Sequence, residues 1–160
     1  MNQLELANMV KTLESMAQLE LVIADFYKVC GEAWDSEAET WQAIAEAEVQ
    51  HARNIEAMIR LLKSNPDAFA VGRPISPAAV NTAVTGVKNN ITKMKKGDLS
   101  RKQALYILRD IEQSLLESKY GEMIKTQEME FKMLVKEIIK QTEGHQKMLG
   151  KKIEAASAGA

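Results

Sequence analysis

The sequence predicts an all-α protein, and three observations predict it. Prolines are confined to Pro66, Pro74 and Pro77, so most of the chain lacks the residue that most strongly interrupts helices. The remainder is rich in Ala, Leu, Glu, Lys, Met and Gln, the good helix formers. Strand signals are weak: β-branched runs are few, and no Asn-Gly or Asp-Gly joins two alternating segments. At 160 residues the chain has the length of one domain able to bury a core, so residues 1–160 read as a single unit.

The breaks divide this unit into four long helices and one long crossover. A first helix is expected from about residue 3 to residue 30, with Gly31 as its stop. A second is expected over 36–64: Ser36 and Glu39 have capping-box spacing, and Asn65-Pro66 ends the run. Residues 65–99 form the crossover, which holds all three prolines. A shorter helix within it starts at Ser76-Pro77, a cap followed by proline at the first helical position, and closes at Gly97-Asp98. A third long helix is expected over 100–124, from the capping box of Ser100 and Gln103, and a fourth over 128–155 after a break near Thr126. Short links make the first pair and the last pair antiparallel hairpins. The tail ASAGA is small and unpatterned, and is expected to fray.

Composition narrows the function. Lysine and arginine number 21 against 22 acidic residues, for a net charge of −1 with no strongly basic segment, which argues against a nucleic-acid partner. The basic cluster in KNNITKMKKG reads as a solvated surface. No window approaches the ~20 apolar residues of a membrane span, and MNQLELANMVKTLESM lacks the apolar core of a secretion signal. The expectation is a soluble, cytoplasmic protein with no membrane partner. Cys30 is the only cysteine, which excludes an intrachain disulfide and any Cys-x-x-Cys motif.

Chemistry enters where polar residues interrupt the apolar stripes. Positions i, i+3, i+4 and i+7 share a helix face. The first helix gives Met9, Leu13, Met16, Glu20, Ile23 and Tyr27; the second gives Trp41, Ile44, Glu48, His51, Ile55, Met58 and Leu62. The third gives Leu105, Leu108, Glu112, Leu115 or Leu116, and Met123. The fourth gives Phe131, Val135, Ile138, Thr142, His145, Leu149 and Ile153. Carboxylates gathered in an apolar core are costly and repel one another, so a positive charge must sit between them. No lysine or arginine lies mid-stripe, and divalent metal with oxygen and imidazole ligands supplies that charge. Two Glu-x-x-His pairs plus one Glu from each remaining helix is the ligand set of carboxylate-bridged di-iron bundles. Glu20, Glu48, His51, Glu112 and His145 supply five of those six ligands.

From about residue 5 to residue 155 the chain resembles the rubrerythrin-like branch of the ferritin-like superfamily. The resemblance is carried by LELVIADFY (19–27), IAEAEVQHA (44–52), DIEQSLLESKY (110–120) and KQTEGHQKML (140–149). Glu20 and Glu112 lie 92 residues apart and the two histidines 94 apart, consistent with a repeated two-helix unit. The resemblance implies a ferritin-like four-helix bundle with Glu20 and Glu112 as terminal ligands, Glu48 as a bridge, and His51 and His145 as nitrogen ligands. It implies iron, two ions if the site is complete, although manganese accepts the same ligands. It also implies a homodimer that reduces peroxide or oxidises ferrous iron.

Two departures stand out. Thr142 occupies the position of the family's second bridging Glu. Three carboxylates leave two divalent ions with uncompensated positive charge, to be met by hydroxide, water or another anion. Glu143 is a turn of about 100° away on a regular helix. Gly144 would permit a local bulge that brings Glu143 inward. Rubrerythrins also commonly add a rubredoxin-like domain with paired Cys-x-x-Cys motifs. With Cys30 alone, electrons would come from a separate donor protein. Tyr27 shares the face of Glu20 about 10 Å along the axis, too far to ligate, and reads as a core aromatic. The competing expectation, favoured by Thr142, is a degenerate module that binds one metal ion or none and does no catalysis.

Overall fold

In the computed structural model, which describes residues 1–159 with the side chain of Tyr120 excepted, the chain is all-α apart from one pair of three-residue strands. Helix α1 spans Gln3–Ala33, and Asn2 and Glu5 form a reciprocal capping box at its start. Gly31 does not end it. A Cβ there would stand 3.4 Å from the Cβ of Trp41, so this glycine packs against the next helix with its own backbone still helical.

Helix α2 spans Ala38–Ser64. The expected Ser36 capping box does not form; residues Asp35–Glu37 make a 3-10 turn without a side-chain cap. Tertiary contacts occupy the turn instead. The Glu37 carboxylate accepts from Arg101 at 2.8 and 3.0 Å and from Lys152 at 2.6 Å. The Arg101 guanidinium, followed by Lys152, holds the Glu37 carboxyl down to about 2.

Within residues 65–99 the expected short helix forms. Helix α3, Pro77–Lys95, is capped by the Ser76 hydroxyl and has proline in its first turn. At its end Gly97 takes a left-handed φ of 76°, with Asp98 N–H bonded to Lys93 and Gly97 N–H to Met94, the Schellman pattern that glycine favours.

Helix α4, Arg101–Glu117, begins with the predicted Ser100–Gln103 box but stops well short of residue 124. Lys119 adopts a left-handed φ of 49°, and residues Ile124–Thr126 leave the helix as strand β2. They pair antiparallel with β1, Phe69–Val71, with Phe69 opposite Thr126. Met123 is buried as expected, but from this extended segment rather than from a helix. Helix α5, Met129–Ala158, runs through most of the tail expected to fray; Ala160 lies outside the described residues.

Helix α1 packs along α2 and also against α3; α4 packs along α5, and α2 contacts α5. The stripe residues converge between these helices, with Leu13, Ile23, Ile55, Leu105, Leu108 and Ile138 fully buried. No helix among the described residues is long and apolar enough to cross a membrane.

The strand pair extends beyond its ladder, since Gly72 N–H bonds to Met123 and Arg73 N–H to Glu122, each at 2.8 Å. A Cβ on Gly72 would fall 2.2 Å from the Glu122 carbonyl oxygen. Gly72→Ala should therefore separate the two segments and lower stability by about 1–3 kcal/mol. Urea unfolding checks this, and an unchanged midpoint would contradict the close approach.

Candidate metal centre

The centre is assembled at mid-length of its helices. Helix α1 contributes Glu20, α2 Glu48 and His51, α4 Glu112 and α5 His145. Each side chain reaches the interior because it replaces an apolar residue on a buried stripe. Glu48, His51 and Glu112 have no exposed surface, and Glu20 retains 2%. The His145 side chain is 13% exposed, which makes it the wettest of the five.

Two triads result, Glu20 with Glu48 and His51, and Glu48 with Glu112 and His145, each with ligand atoms within 4.8 Å of one another. Glu48 belongs to both. Its Oε2 lies 3.0 Å from His51 Nδ1 and its Oε1 lies 2.8 Å from His145 Nδ1. Glu20 Oε2 stands 3.6 Å from His51 Nδ1, and Glu112 Oε1 stands 3.5 Å from His145 Nδ1. The imidazole rings lie 5.9 Å apart, nearly parallel at 27°.

The residues fit a bound cation. Oε2 of Glu20 and Oε2 of Glu112 are buried without any hydrogen-bond partner, and buried oxygens in that condition are rare and costly. Among the described residues, the positively charged groups paired with these carboxylates are the two imidazoles, a side chain that commonly ligates metal. Mixed carboxylate and imidazole donors suit iron, manganese or zinc.

The two extra candidates from α5 differ in placement. Thr142 is buried, but its hydroxyl donates to the Ile138 carbonyl at 2.8 Å, one turn back on its own helix. Glu143 is exposed and α5 is helical throughout, so the bulge at Gly144 does not form and Glu143 does not turn inward. Without a proline or an inserted residue, nothing draws the helix out of register.

Tyr27 is more closely engaged than its spacing from Glu20 suggests. Its phenol donates to Glu112 Oε1 at 2.5 Å, across the interior to α4. Distance along α1 was the wrong measure, because the partner lies on another helix. Gln141 was missed altogether: its Oε1 accepts from His51 Nε2 at 2.7 Å. A signal existed, since Gln141 lies one turn before His145 and shares its face. That bond leaves Nδ1 of His51 as the atom presented to the carboxylates.

Burial, then the neighbouring Glu48 charge, pushes the Glu20 carboxyl up to about 8. Burial also pushes the Tyr27 phenol well above its ordinary value, with the Glu112 and Glu48 charges adding to it. Burial opposes charge on His51, but Glu20 and Glu48 outweigh it and lift the imidazole to about 11. For His145 the same opposition is outweighed by Glu112 and Glu48, to about 9. The cluster without metal thus holds protons where a metal would bind.

No family model, no curated protein and no solved structure matches the chain. The reading of the cluster therefore rests on its own geometry.

Because the folded chain holds protons on Glu20, His51 and His145 that the unfolded chain releases, raising the pH draws the metal-free protein toward unfolding. Its melting temperature should fall from about pH 5 to about pH 9. Divalent metal competes with the same protons, so loading near neutral pH should release them. Calorimetry in buffers of different ionisation enthalpy measures that release, and metal uptake without it would contradict the assigned ligands.

Proposed function

We propose that this chain is a rubrerythrin-like non-haem di-iron protein, an oxidoreductase acting on peroxide or on dioxygen and ferrous iron, built as a ferritin-like four-helix bundle with one long crossover. The observation that carries the reading is Glu48, a single buried carboxylate with one oxygen turned to each histidine and one triad on each side. That is the disposition of a bridging ligand.

In this reading Glu20, Glu48 and His51 hold one ion, and Glu48, Glu112 and His145 hold the other. Bound iron would polarise the oxidant and change oxidation state. The chain's own residues do the rest. Gln141 holds His51 by its Nε2 proton and so keeps Nδ1 free to ligate. Tyr27 orients Glu112 and keeps a proton within 2.5 Å of it. The apolar stripes keep bulk water from the Glu20 side, while the partly exposed His145 marks the side nearer solvent. With one cysteine among its 160 residues the chain has no thiolate cluster of its own, so a separate protein would donate electrons. A homodimer follows from the same resemblance.

A second reading is favoured by Thr142, whose hydroxyl is committed to its own helix where a fourth carboxylate would complete the set. The chain would then hold one ion in a binding or structural role. Metal content after anaerobic loading with ferrous iron separates the two. About two irons per chain, with an oxo-bridged ferric absorption band on oxidation, support the di-iron reading; one or none supports the second. Glu48→Gln should weaken both ions, whereas Thr142→Glu should tighten the His145-side ion by about tenfold or more. If Glu48→Gln leaves the metal content intact, Glu48 is not the bridge.

A further inference from the structure

Both tryptophans of the chain stand in one row of ring contacts that begins at the cluster. Tyr27, bonded to Glu112, stacks on Trp41 with centroids 5.9 Å apart and planes at 21°. Trp41 meets Trp34 at 5.7 Å. Tyr27 and Trp41 are completely buried, and Trp34 is partly exposed at the C-terminal cap of α1. Core packing accounts for the two inner rings. Trp34, partly buried against the same core, carries the row toward the surface, and the Trp41 indole N–H is buried without a hydrogen-bond partner. A buried tryptophan ordinarily places that group against an acceptor, so stacking rather than hydrogen bonding sets this ring.

We propose that Tyr27, Trp41 and Trp34 form a one-electron conduit between the carboxylate–histidine cluster and the surface at the α1–α2 turn. The proposal rests on the redox reading above. In each passage Tyr27 gives one electron to an oxidant of the peroxide class at the cluster and its phenolic proton to Glu112. Trp41 then returns an electron, and Glu112 the proton, to restore Tyr27. Trp34 refills Trp41, and an external one-electron donor refills Trp34. Two passages and two solvent protons reduce one peroxide to two waters. An oxidised phenol must shed its proton, and the acceptor at 2.5 Å receives it without the phenol moving.

Charge around the row keeps the electron vacancy at its inner end, so the external donor drives the refilling of Tyr27 through the tryptophans. The Lys152 ammonium lies 5.4 Å from the Trp41 ring and the Arg101 guanidinium 5.9 Å from that of Trp34. Cations beside an indole oppose its oxidation. The Glu37 carboxylate bound to both offsets part of that opposition. The electron vacancy therefore settles on Tyr27, while both tryptophans remain able to carry it.

The test uses the metal-free chain and a ruthenium tris-bipyridine photo-oxidant with laser flash detection. In the native chain an indolyl radical should form first and decay as a tyrosyl radical appears. Tyr27→Phe should lose the tyrosyl signal and keep the indolyl one, which excludes Tyr106 and Tyr120 as its source. Trp41→Phe should lose the conversion. Trp34→Phe, a ring-for-ring change at a partly exposed site on the edge of the core, should lose both the early indolyl signal and the conversion. A tyrosyl signal that survives Tyr27→Phe, a conversion that survives Trp41→Phe, or none in the native chain overturns the conduit. Since no metal is needed, that failure is distinct from a failure of the iron count, which removes the redox reading instead.

Discussion

Three carboxylates in a dry interior cannot remain ionised without positive charge beside them, and this constraint organises the molecule. Among the described residues no lysine or arginine pairs with Glu20, Glu48 or Glu112; the charge comes from His51 and His145. The carboxylates around them favour the protonated imidazoles, and burial, then the Glu48 charge, favours a proton on Glu20. The metal-free interior thus holds protons on three of its groups. Those protons sit on ligand atoms, and two carboxylate oxygens are still left without partners. A cluster selected only for stability would gain from replacement by apolar residues of similar volume, since buried charge pairs seldom repay their desolvation.

The two halves of the cluster are unequal, and the inequality is chemical. On the His51 side every group is enclosed, and Gln141 fixes the imidazole from behind. On the His145 side the ring is partly exposed, and the neighbouring position of α5 holds a threonine bonded to its own backbone. One divalent ion would leave three carboxylates with a net negative charge, and two would leave a net positive charge. An added hydroxide or other anion would balance the second case and would lie most naturally on the wetter side.

The surrounding fold ties down both ends of α2, the helix that supplies the shared carboxylate. Just before it, Glu37 joins the α1–α2 turn to α4 and α5 through Arg101 and Lys152. Soon after it, β1 pairs with β2 and links the α2–α3 connection to the segment between α4 and α5. Glu48 and His51 lie between these anchors. Ligand atoms on rigid, doubly anchored elements keep their spacing when the metal is absent, which is what a preorganised centre requires. The aromatic row shares the first anchor, so the same ionic knot that fixes the turn also sets the charge around Trp34 and Trp41.

Periodicity alone determined which residues turn inward. The Glu20, Glu48, His51 and Glu112 positions fall on stripes whose apolar members are mostly buried, Leu115 and Leu116 of α4 being only partly so, because a helix face is a local property set by residue spacing. Local chemistry also set the Ser76 and Ser100 caps and the Gly97 stop, where a side chain or a left-handed residue acts on its own backbone. Whatever depended on a distant partner was decided only by tertiary structure. Ile124–Thr126 became a strand because Phe69–Val71 lies beside it, and the Ser36 cap gave way to a turn whose Glu37 is held by Arg101 and Lys152. Tyr27 reached Glu112, and His51 reached Gln141, across the gap between helices. The division of the Glu48 carboxylate between two histidines belongs to the same class, for helical spacing orients a side chain but does not say which atoms of another helix will meet it.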